Sequence, residues 1–397
     1  MNVPKGYKMT EVGVIPEDWE VKKLGDIAEM ASGGTPLTSN PNYYNGDIPW
    51  VSISDMTKGG KHIFATDKYI TQLGFNNSAC KIFPIGTVLY AMYASLGECS
   101  IAGIPLCSSQ AILGIRVKEN LDNEFLYYYL NYIKNTVKGH GQQGTQPNLN
   151  KEIVQNFQIK LPLIDEQRSI ARVLSDTDAL INALDKLIAK KRDIKKAVMQ
   201  ELLTGKTRLP GFSGEWEVNT IEQCADCLDS LRVPLNETNR SKMQGHIPYC
   251  GANGVLDYID DFIIDDDIIL LAEDGGYFDD YENRPIAYRI RGKCWVNNHV
   301  HILKAKRDFD QGFLFYSLVH KNILAYLVTG TRSKLNKKEM NKIEIFFPKD
   351  KAEQQAIAQI LSDIDSEITA LEQRRDKMKA IKQGMMQELL TGRIRLK

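Results

Sequence analysis

The sequence predicts an α+β fold in which two mixed α/β domains are separated by two long helices that form an antiparallel coiled coil. Residues 166–209 and 353–396 match without gaps at an offset of 187, with 23 identities in 44 positions. Both segments carry apolar residues at heptad spacing, which is typical of paired helices. Short motifs in the two preceding segments also recur. We therefore expect a pseudo-two-fold internal repeat.

Length and composition exclude several classes of protein. A chain of 397 residues suggests two to four domains. Lys plus Arg and Asp plus Glu both number 50, so the chain as a whole lacks the basic excess that indicates non-specific nucleic-acid binding. No run of 18 apolar residues predicts a membrane span, and seven scattered cysteines are unlike a secreted disulfide framework. We expect a soluble cytoplasmic protein with reduced thiols.

The repeat divides the chain into four segments. Faint matches link the two globular parts: Phe125–Tyr128 with Phe313–Tyr316, and Gly46–Trp50 with Gly245–Tyr249. Short apolar runs bounded by Gly and Pro predict that strands dominate both parts. The predicted segments are a first globular domain at 1–165, a first helix and linker at 166–209, a second globular domain at 210–348 and a second helix at 349–397.

The helices are predicted over 166–203 and 353–390. A Thr-Gly pair ends each one, at Gly205 and Gly392, where glycine supplies the C-cap. Polar residues interrupt the heptad core and are expected to weaken the seam towards the C-terminal half of each helix: Lys191, Lys195, Arg375 and Lys382. The apolar stripe on each helix is wider than the contact surface of a two-stranded coiled coil requires. Its surplus edge gives the candidate partner-binding residues Val173, Leu180, Leu187 and Ile360.

The junctions repeat as if the chain were a ring that had been cut. The first helix continues through residues 208–212 to Trp216, whereas the second stops at Lys397. The N-terminal segment from Tyr7 to Pro16 leads to Trp19 and resembles the linker that is missing there. We therefore expect the two termini to lie close together.

Catalytic and metal motifs are weak. Gly139–Gly144 fits the dinucleotide pattern literally, but it does not follow a strand. Cys224 and Cys227 have the spacing of half a zinc site without a second pair. His299 and His301 are better explained as hydrogen-bonded histidines of a sheet than as ligands. We predict neither a catalytic nor a metal site, and we expect this chain to bind no cofactor.

The segments just before the two helices are the best candidates for contacts with DNA. Residues 144–151 match residues 330–337 at an offset of 186, and the second copy adds a basic run. Gly-Thr allows backbone amides to approach phosphates, and the side chains can hydrogen-bond to base edges. A solvated turn is the alternative. The candidates are Gly144, Thr145, Gln146, Asn148, Lys151, Gly330, Thr331, Arg332, Ser333, Lys334, Lys337 and Lys338.

In combination, these features resemble the specificity subunits of type I restriction–modification systems. The resemblance rests on Val14–Trp19, on the junctions Leu161–Gln167 and Phe347–Gln354, and on both Glu-Leu-Leu-Thr-Gly helix ends. It covers nearly the whole chain. The loops depart from one another, because Arg332-Ser333-Lys334 replaces Gln146-Pro147-Asn148, so their DNA contacts need not be equivalent.

The resemblance implies a function and partners. Two target-recognition domains would each read one half of a split double-stranded DNA sequence, and the helices would set the spacer and dock two methyltransferase subunits. Restriction subunits would join through that complex. The chain itself would not be an enzyme, and S-adenosylmethionine, ATP and Mg²⁺ would serve the partner subunits. A coiled-coil protein scaffold and a divergent DNA methyltransferase are the alternatives.

Overall fold

The computed structural model describes residues 3–139, 149–328 and 333–396. The chain forms two compact units. Unit 1 comprises Met1–Leu184 and Arg374–Lys397, and unit 2 comprises Asp185–Gln373. Each unit holds one globular domain together with one part of each long helix. The mixed α+β composition and the two long helices are as the sequence predicts.

Unit 1 contains twelve strands among its described residues, arranged in four small sheets. The strands are β1 Tyr7–Thr10, β2 Gly13–Pro16, β3 Glu20–Lys23, β4 Ala28–Ser32, β5 Tyr44–Val51, β6 His62–Ile63, β7 Lys68–Ile70, β8 Val88–Ala91, β9 Cys99–Ala102, β10 Cys107–Ser108, β11 Ile112–Val117 and β12 Gln158–Leu161. The sheet orders are β1-β2, β12-β3, β4-β11-β8-β9-β6 and β10-β5-β7. Pairing is antiparallel except for β6 with β9 and β10 with β5.

The helices of unit 1 pack on both of its larger sheets. They are α1 Leu24–Ile27, α2 Ile53–Gly59, α3 Gln72–Asn76, α4 Asn123–Gly139, α5 Lys151–Gln155 and the long α6 Ile164–Leu202, which continues into unit 2. Helix α4 lies against β8 and β9 of the five-stranded sheet, and α3 lies against β5 of the three-stranded sheet. Strand β8 reads Val-Leu-Tyr-Ala, and all four residues are buried. Such a continuous run of apolar residues is typical of a strand that is covered on both faces.

Unit 2 repeats this plan with a different sheet. Its elements are β13 Trp216–Thr220, α7 Ile221–Cys224, β14 Ala225–Cys227, α8 Glu237–Arg240, β15 Gln244–Gly251, β16 Gly254–Ile259, β17 Ile264–Ala272, β18 Ala287–Val296, β19 Val300–Ala305, α9 Gln311–Leu318, α10 Lys337–Met340, β20 Glu344–Pro348 and the long α11 Lys351–Leu389. The sheets are β13-β20 and β14-β19-β17-β18-β15-β16. In the six-stranded sheet only β15 with β18 is parallel.

The long helices are antiparallel within each unit, as the sequence predicts. In unit 2, Nζ of Lys191 lies 2.5 Å from Glu367 and Nζ of Lys195 lies 2.6 Å from Asp365. The residue numbers of the partners on α11 therefore fall as the residue numbers along α6 rise, which is the pattern of antiparallel helices. In unit 1, Lys382 pairs with Asp178 at 2.6 Å. Each of these three lysines bridges the two helices, and the weakening of the seam that the sequence predicts stays a prediction.

The helix ends form where the glycines predict. Helix α6 ends at Leu202 and α11 at Leu389, and the glycines that follow, Gly205 and Gly392, have φ of +68° and +76°. This left-handed backbone is costly for any residue with a Cβ atom. A Cβ at Gly392 would also lie 2.5 Å from Pro16, so the second helix end packs directly against the N-terminal segment.

The termini meet in unit 1, which confirms the prediction drawn from the junctions. The hydroxyl of Tyr7 donates to the carbonyl oxygen of Gly392 over 3.0 Å. Arg395 donates to both carboxylate oxygens of Glu166 over 2.7 Å. In unit 2, where the chain is continuous, Arg208 makes the same two bonds to Glu353, also over 2.7 Å. The N-terminal segment thus takes the place that a linker holds in the other unit.

Candidate nucleic-acid interface and helix surface

The candidate DNA segments precede two equivalent short helices. Asn150 caps α5 by accepting from the amide of Ile153 over 2.8 Å, and Asn336 caps α10 by accepting from the amide of Glu339 over 3.0 Å. An Asn N-cap followed by a lysine therefore begins both helices. Of the candidates, Gly144, Thr145, Gln146, Asn148, Gly330, Thr331 and Arg332 lie outside the described residues.

The described candidates are all at the surface. Lys151, Ser333, Lys337 and Lys338 are exposed. Lys151 and Lys337 are the first residues of α5 and α10, so the structure places them at equivalent positions. The leucine before each cap is buried: Leu149 is 8% exposed and Leu335 is 0% exposed. These buried leucines anchor the exposed lysines to the domain core.

Lys334 differs from the other lysines because it has an acidic partner. Its Nζ lies 2.9 Å from Oε1 of Glu273, which also binds Arg232. Burial alone would raise the pKa of Glu273, but hydrogen bonds from Lys334 and Arg232 outweigh it and lower that pKa below its usual value. Glu273 therefore remains ionised and neutralises part of the positive charge predicted for this segment.

His301 connects the same segment to the six-stranded sheet. Its side chain is 1% exposed, with Nδ1 2.7 Å from Asp229 and Nε2 2.8 Å from the carbonyl oxygen of Leu335. Burial lowers its pKa, but the hydrogen bond to Asp229 and the others outweigh this and raise the pKa to about 9. Both nitrogens face acceptors, so His301 is an imidazolium that donates twice. The prediction of a hydrogen-bonded sheet histidine is confirmed.

Three possible metal ligands meet at this place. The donor atoms of Cys227, Asp229 and His301 lie within 4.8 Å of one another. Cys224, the other half of the predicted cysteine pair, is not in the group, since its thiol faces the carbonyl oxygen of Ile221 at 3.7 Å. Both ring nitrogens of His301 are already hydrogen-bonded. The donor set therefore fits a buried ion-pair network better than a metal centre.

The candidate partner-binding residues differ in exposure. In unit 1, Val173 and Leu180 are half-buried. In unit 2, Leu187 is 41% exposed, whereas Ile360 packs against the domain core. The surplus apolar edge is thus exposed at Leu187 and half-buried at Val173, Leu180 and Ile360. None of the helices in the described part of the chain is long and apolar enough to cross a membrane.

In comparisons with known proteins, this chain matches one family. Its model, described as the type I restriction modification DNA specificity domain, matches residues 16–195 and again residues 213–380. The MjaIX specificity subunit of a type I restriction enzyme from Methanocaldococcus jannaschii is 36% identical over 183 residues, which are 44% of this chain and 41% of the relative. The match thus spans less than half of that relative. The MjaVIII specificity subunit from the same organism is 25% identical and matches over 96% of this chain and 94% of its own.

A solved structure has the same fold. The S subunit of a type I restriction–modification system from M. genitalium superposes with a TM-score of 0.65, and the alignment covers 98% of both chains. Its sequence identity is only 15%, so the likeness shows the fold alone. The duplicated family match at 16–195 and 213–380 parallels the internal repeat that the sequence predicts.

Proposed function

Because this chain belongs to the family of type I restriction modification DNA specificity domains, we propose that it is the specificity subunit of such a complex. Each globular domain is a target-recognition domain that reads one half of a bipartite double-stranded DNA sequence. The observation that carries the proposal is the duplication: two domains with different sheets are attached to equivalent parts of one helix pair. Two domains with different structures, attached to equivalent parts of the helix pair, suit a DNA target whose two halves differ in sequence.

The DNA contacts would come from the segments before α5 and α10. Lys151, Lys337 and Lys338 are exposed and begin helices whose caps are intact. They suit salt-dependent contacts with phosphates. The candidates with amide, hydroxyl or guanidinium groups, such as Gln146 and Arg332, would read base edges.

The long helices would set the spacer between the two half-sites and dock two methyltransferase subunits, through which restriction subunits join. The accessible edge at Val173, Leu180 and Leu187 is the surface we propose for docking. The chain would then be a non-catalytic subunit in the cytoplasm. S-adenosylmethionine, ATP and Mg²⁺ would be bound by its partners and not by this chain.

The proposal is tested by methylation mapping of DNA from cells that contain this chain with partner methyltransferase subunits. We expect one methylated sequence made of two short specified parts with an unspecified spacer. Cells with the methyltransferase subunits alone are the control and should lack that pattern. A continuous recognition sequence, or the same methylation without this chain, would contradict the proposed function.

A further inference from the structure

One hydrogen-bond network occurs twice in the molecule, once in each unit. In unit 1, the hydroxyl of Tyr128 donates to Oδ2 of Asp178 over 2.9 Å, and Nζ of Lys382 lies 2.6 Å from Oδ1 of the same carboxylate. Lys382 also lies over the Tyr128 ring, 5.4 Å from its centroid. We call this set of three residues the first Tyr-Asp-Lys junction. It joins α4 of the recognition domain to α6 and α11.

The second junction has the same bonds in unit 2. The hydroxyl of Tyr316 donates to Oδ2 of Asp365 over 2.8 Å, and Nζ of Lys195 lies 2.6 Å from Oδ1. The Nζ-to-ring distance is 5.3 Å. The long helices have exchanged roles, because here α11 supplies the carboxylate and α6 the lysine. Corresponding distances in the two junctions agree within 0.1 Å.

The surroundings of the two junctions differ more than the junctions do. Helix α4 has 17 residues and α9 has 8. The first domain has separate sheets of five and three strands, whereas the second has one sheet of six. In unit 1, Lys61 adds hydrogen bonds to Tyr128 and to Ser175 on α6. The Tyr-Asp-Lys contact has thus kept its geometry while the domains that it attaches have diverged.

Stability is a weak explanation for this retention. The ion pairs are partly open to solvent, since the Lys382 and Asp178 side chains are 23% and 27% exposed, and exposed ion pairs contribute little. Asp178 and Lys382 line a cleft of about 530 Å³ in unit 1, and the whole second junction lines a cleft of about 720 Å³ in unit 2. Apolar packing between a domain and a helix pair is non-directional, whereas hydrogen bonds restrict orientation. The Tyr-Asp-Lys junction is therefore suited to fixing the angle between the globular domain and the helix pair.

We propose that the three residues of each Tyr-Asp-Lys junction are positioning residues, which hold the recognition domain at a fixed angle to the helix pair. By fixing this angle, they increase the preference of the protein for DNA targets with the correct spacer length over targets with a longer or shorter spacer. This inference rests on the proposed function. A tilt of about 6–7° moves a point ~30 Å from its pivot by ~3.4 Å, the rise of one base pair. A small change in the orientation of a recognition domain is therefore enough to let the protein bind DNA whose spacer is one base pair too long or too short.

The test measures binding of the full chain, with partner methyltransferase subunits, to DNA with the parental spacer and with one base pair more or fewer. Tyr128→Phe removes the hydroxyl and keeps the ring in the core. We expect the affinity ratio between parental and altered spacers to fall roughly two- to tenfold, the effect of one hydrogen bond. Base preferences within each half-site should not change. Tyr316→Phe should act in the same way.

Tyr129→Phe is the matched control. Tyr129 lies on the same helix and is 4% exposed, but its hydroxyl bonds to Gln158 and Lys160 of β12 and not to a long helix. We expect it to lower stability without changing the spacer ratio. Asp178→Asn provides a second measurement, because it keeps an acceptor and loses the charge.

An unchanged spacer ratio in both Tyr128→Phe and Asp178→Asn would overturn the proposal. An equal change in Tyr129→Phe would also overturn it, since the effect would then be one of stability alone. Failure of the wild-type complex to prefer any bipartite sequence would instead contradict the proposed function. The two failures are therefore distinguishable in one set of DNA panels.

Discussion

Glu166 and Glu353 hold equivalent positions in the two units but do not make the same set of bonds. Glu166 accepts from Nε1 of Trp19 over 3.0 Å in addition to its pair with Arg395. Glu353 pairs with Arg208, and within the described residues Nε1 of Trp216 is buried without an acceptor. The two copies therefore share the ion pair, whereas the indole hydrogen bond is present at Trp19 and absent at Trp216 among the described residues.

This difference predicts unequal coupling between tryptophan and glutamate. In a double-mutant cycle of Trp19→Phe with Glu166→Gln, we expect a coupling free energy of about 1–2 kcal/mol, because a hydrogen bond to a carboxylate is lost. The cycle of Trp216→Phe with Glu353→Gln is the matched control and should give less than about 0.5 kcal/mol. Urea unfolding followed by circular dichroism measures both. Equal couplings would show that the indole bond contributes nothing.

His301 gives the second unit a pH-dependent stability. Its pKa is raised to about 9 in the folded state from 6.5, so its contribution is complete below about pH 6.5 and is lost as the pH rises through about 9. We expect the wild type to lose roughly 2–4 kcal/mol more than His301→Gln between pH 6 and pH 9.5. Urea unfolding at both pH values measures this loss.

His299→Gln is the control for that experiment. His299 lies two residues away and hydrogen-bonds to Asp274 instead of Asp229, so its replacement should leave the contribution of His301 in place. If His301→Gln kept the wild-type slope, protonation of His301 would not be the source of the pH dependence. Either result is independent of DNA binding.

At the scale of the elements, the long helices use charge to define their pairing. Lys195 and Lys382 occupy heptad core positions, and each pairs with a carboxylate of the other long helix. An apolar seam can slide by a heptad, whereas a lysine opposite one carboxylate favours one register. The apolar edge beside the seam is then free for another partner.

If this apolar edge is the docking surface, Leu180→Asp should weaken binding of the methyltransferase subunits. Leu180 is half-buried on α6, and an aspartate there would put an unpaired charge into an apolar contact. We expect the variant to fold but to co-purify less with methyltransferase subunits. Asn182→Asp adds the same charge at an exposed position of the same helix and should retain the partner. A folded Leu180→Asp chain that binds its partner undiminished would exclude this edge as the docking surface.

At the scale of the whole molecule, the two recognition domains differ in the segments that we propose for DNA binding. In unit 2, Leu335 donates its amide to the carbonyl of Glu273, which also ion-pairs with Lys334. In unit 1, Leu149 donates to the carbonyl of the apolar Met92. One backbone contact is thus shared by the two copies, whereas its acceptor residue is the ion-paired Glu273 in unit 2 and the apolar Met92 in unit 1.

Independent reading by the domains predicts that a change in one segment affects one half-site. Replacing both Lys337 and Lys338 by Ala should weaken binding to all sequences and reduce the salt slope by about two if each contacts a phosphate. Base preferences in the half-site read by residues 1–165 should persist. Lys342→Ala is the control, because Lys342 is already paired with Glu339 at 2.9 Å. An unchanged salt slope would place these lysines away from the DNA.

Local signals in the sequence determined the repeat, the bounds of the long helices and their ends. Helix periodicity and Thr-Gly caps act within a few residues, so the predicted 166–203 and 353–390 differ from Ile164–Leu202 and Lys351–Leu389 by only one or two residues. The junction pattern around Trp19 and Trp216 likewise predicted the meeting of the termini, because the second unit shows the same contacts on continuous chain.

Only the tertiary structure decided which charged groups meet. Lys195 is 170 residues from Asp365, and Asp229 is 72 from His301, so no local pattern predicts either pair. The same holds for Lys334, which the sequence predicts as a candidate DNA contact and the fold pairs with Glu273. Hydrogen bonds and ion pairs depend on distances of a few ångströms between separate elements. Such distances exist only once the sheets and the helix pair have packed.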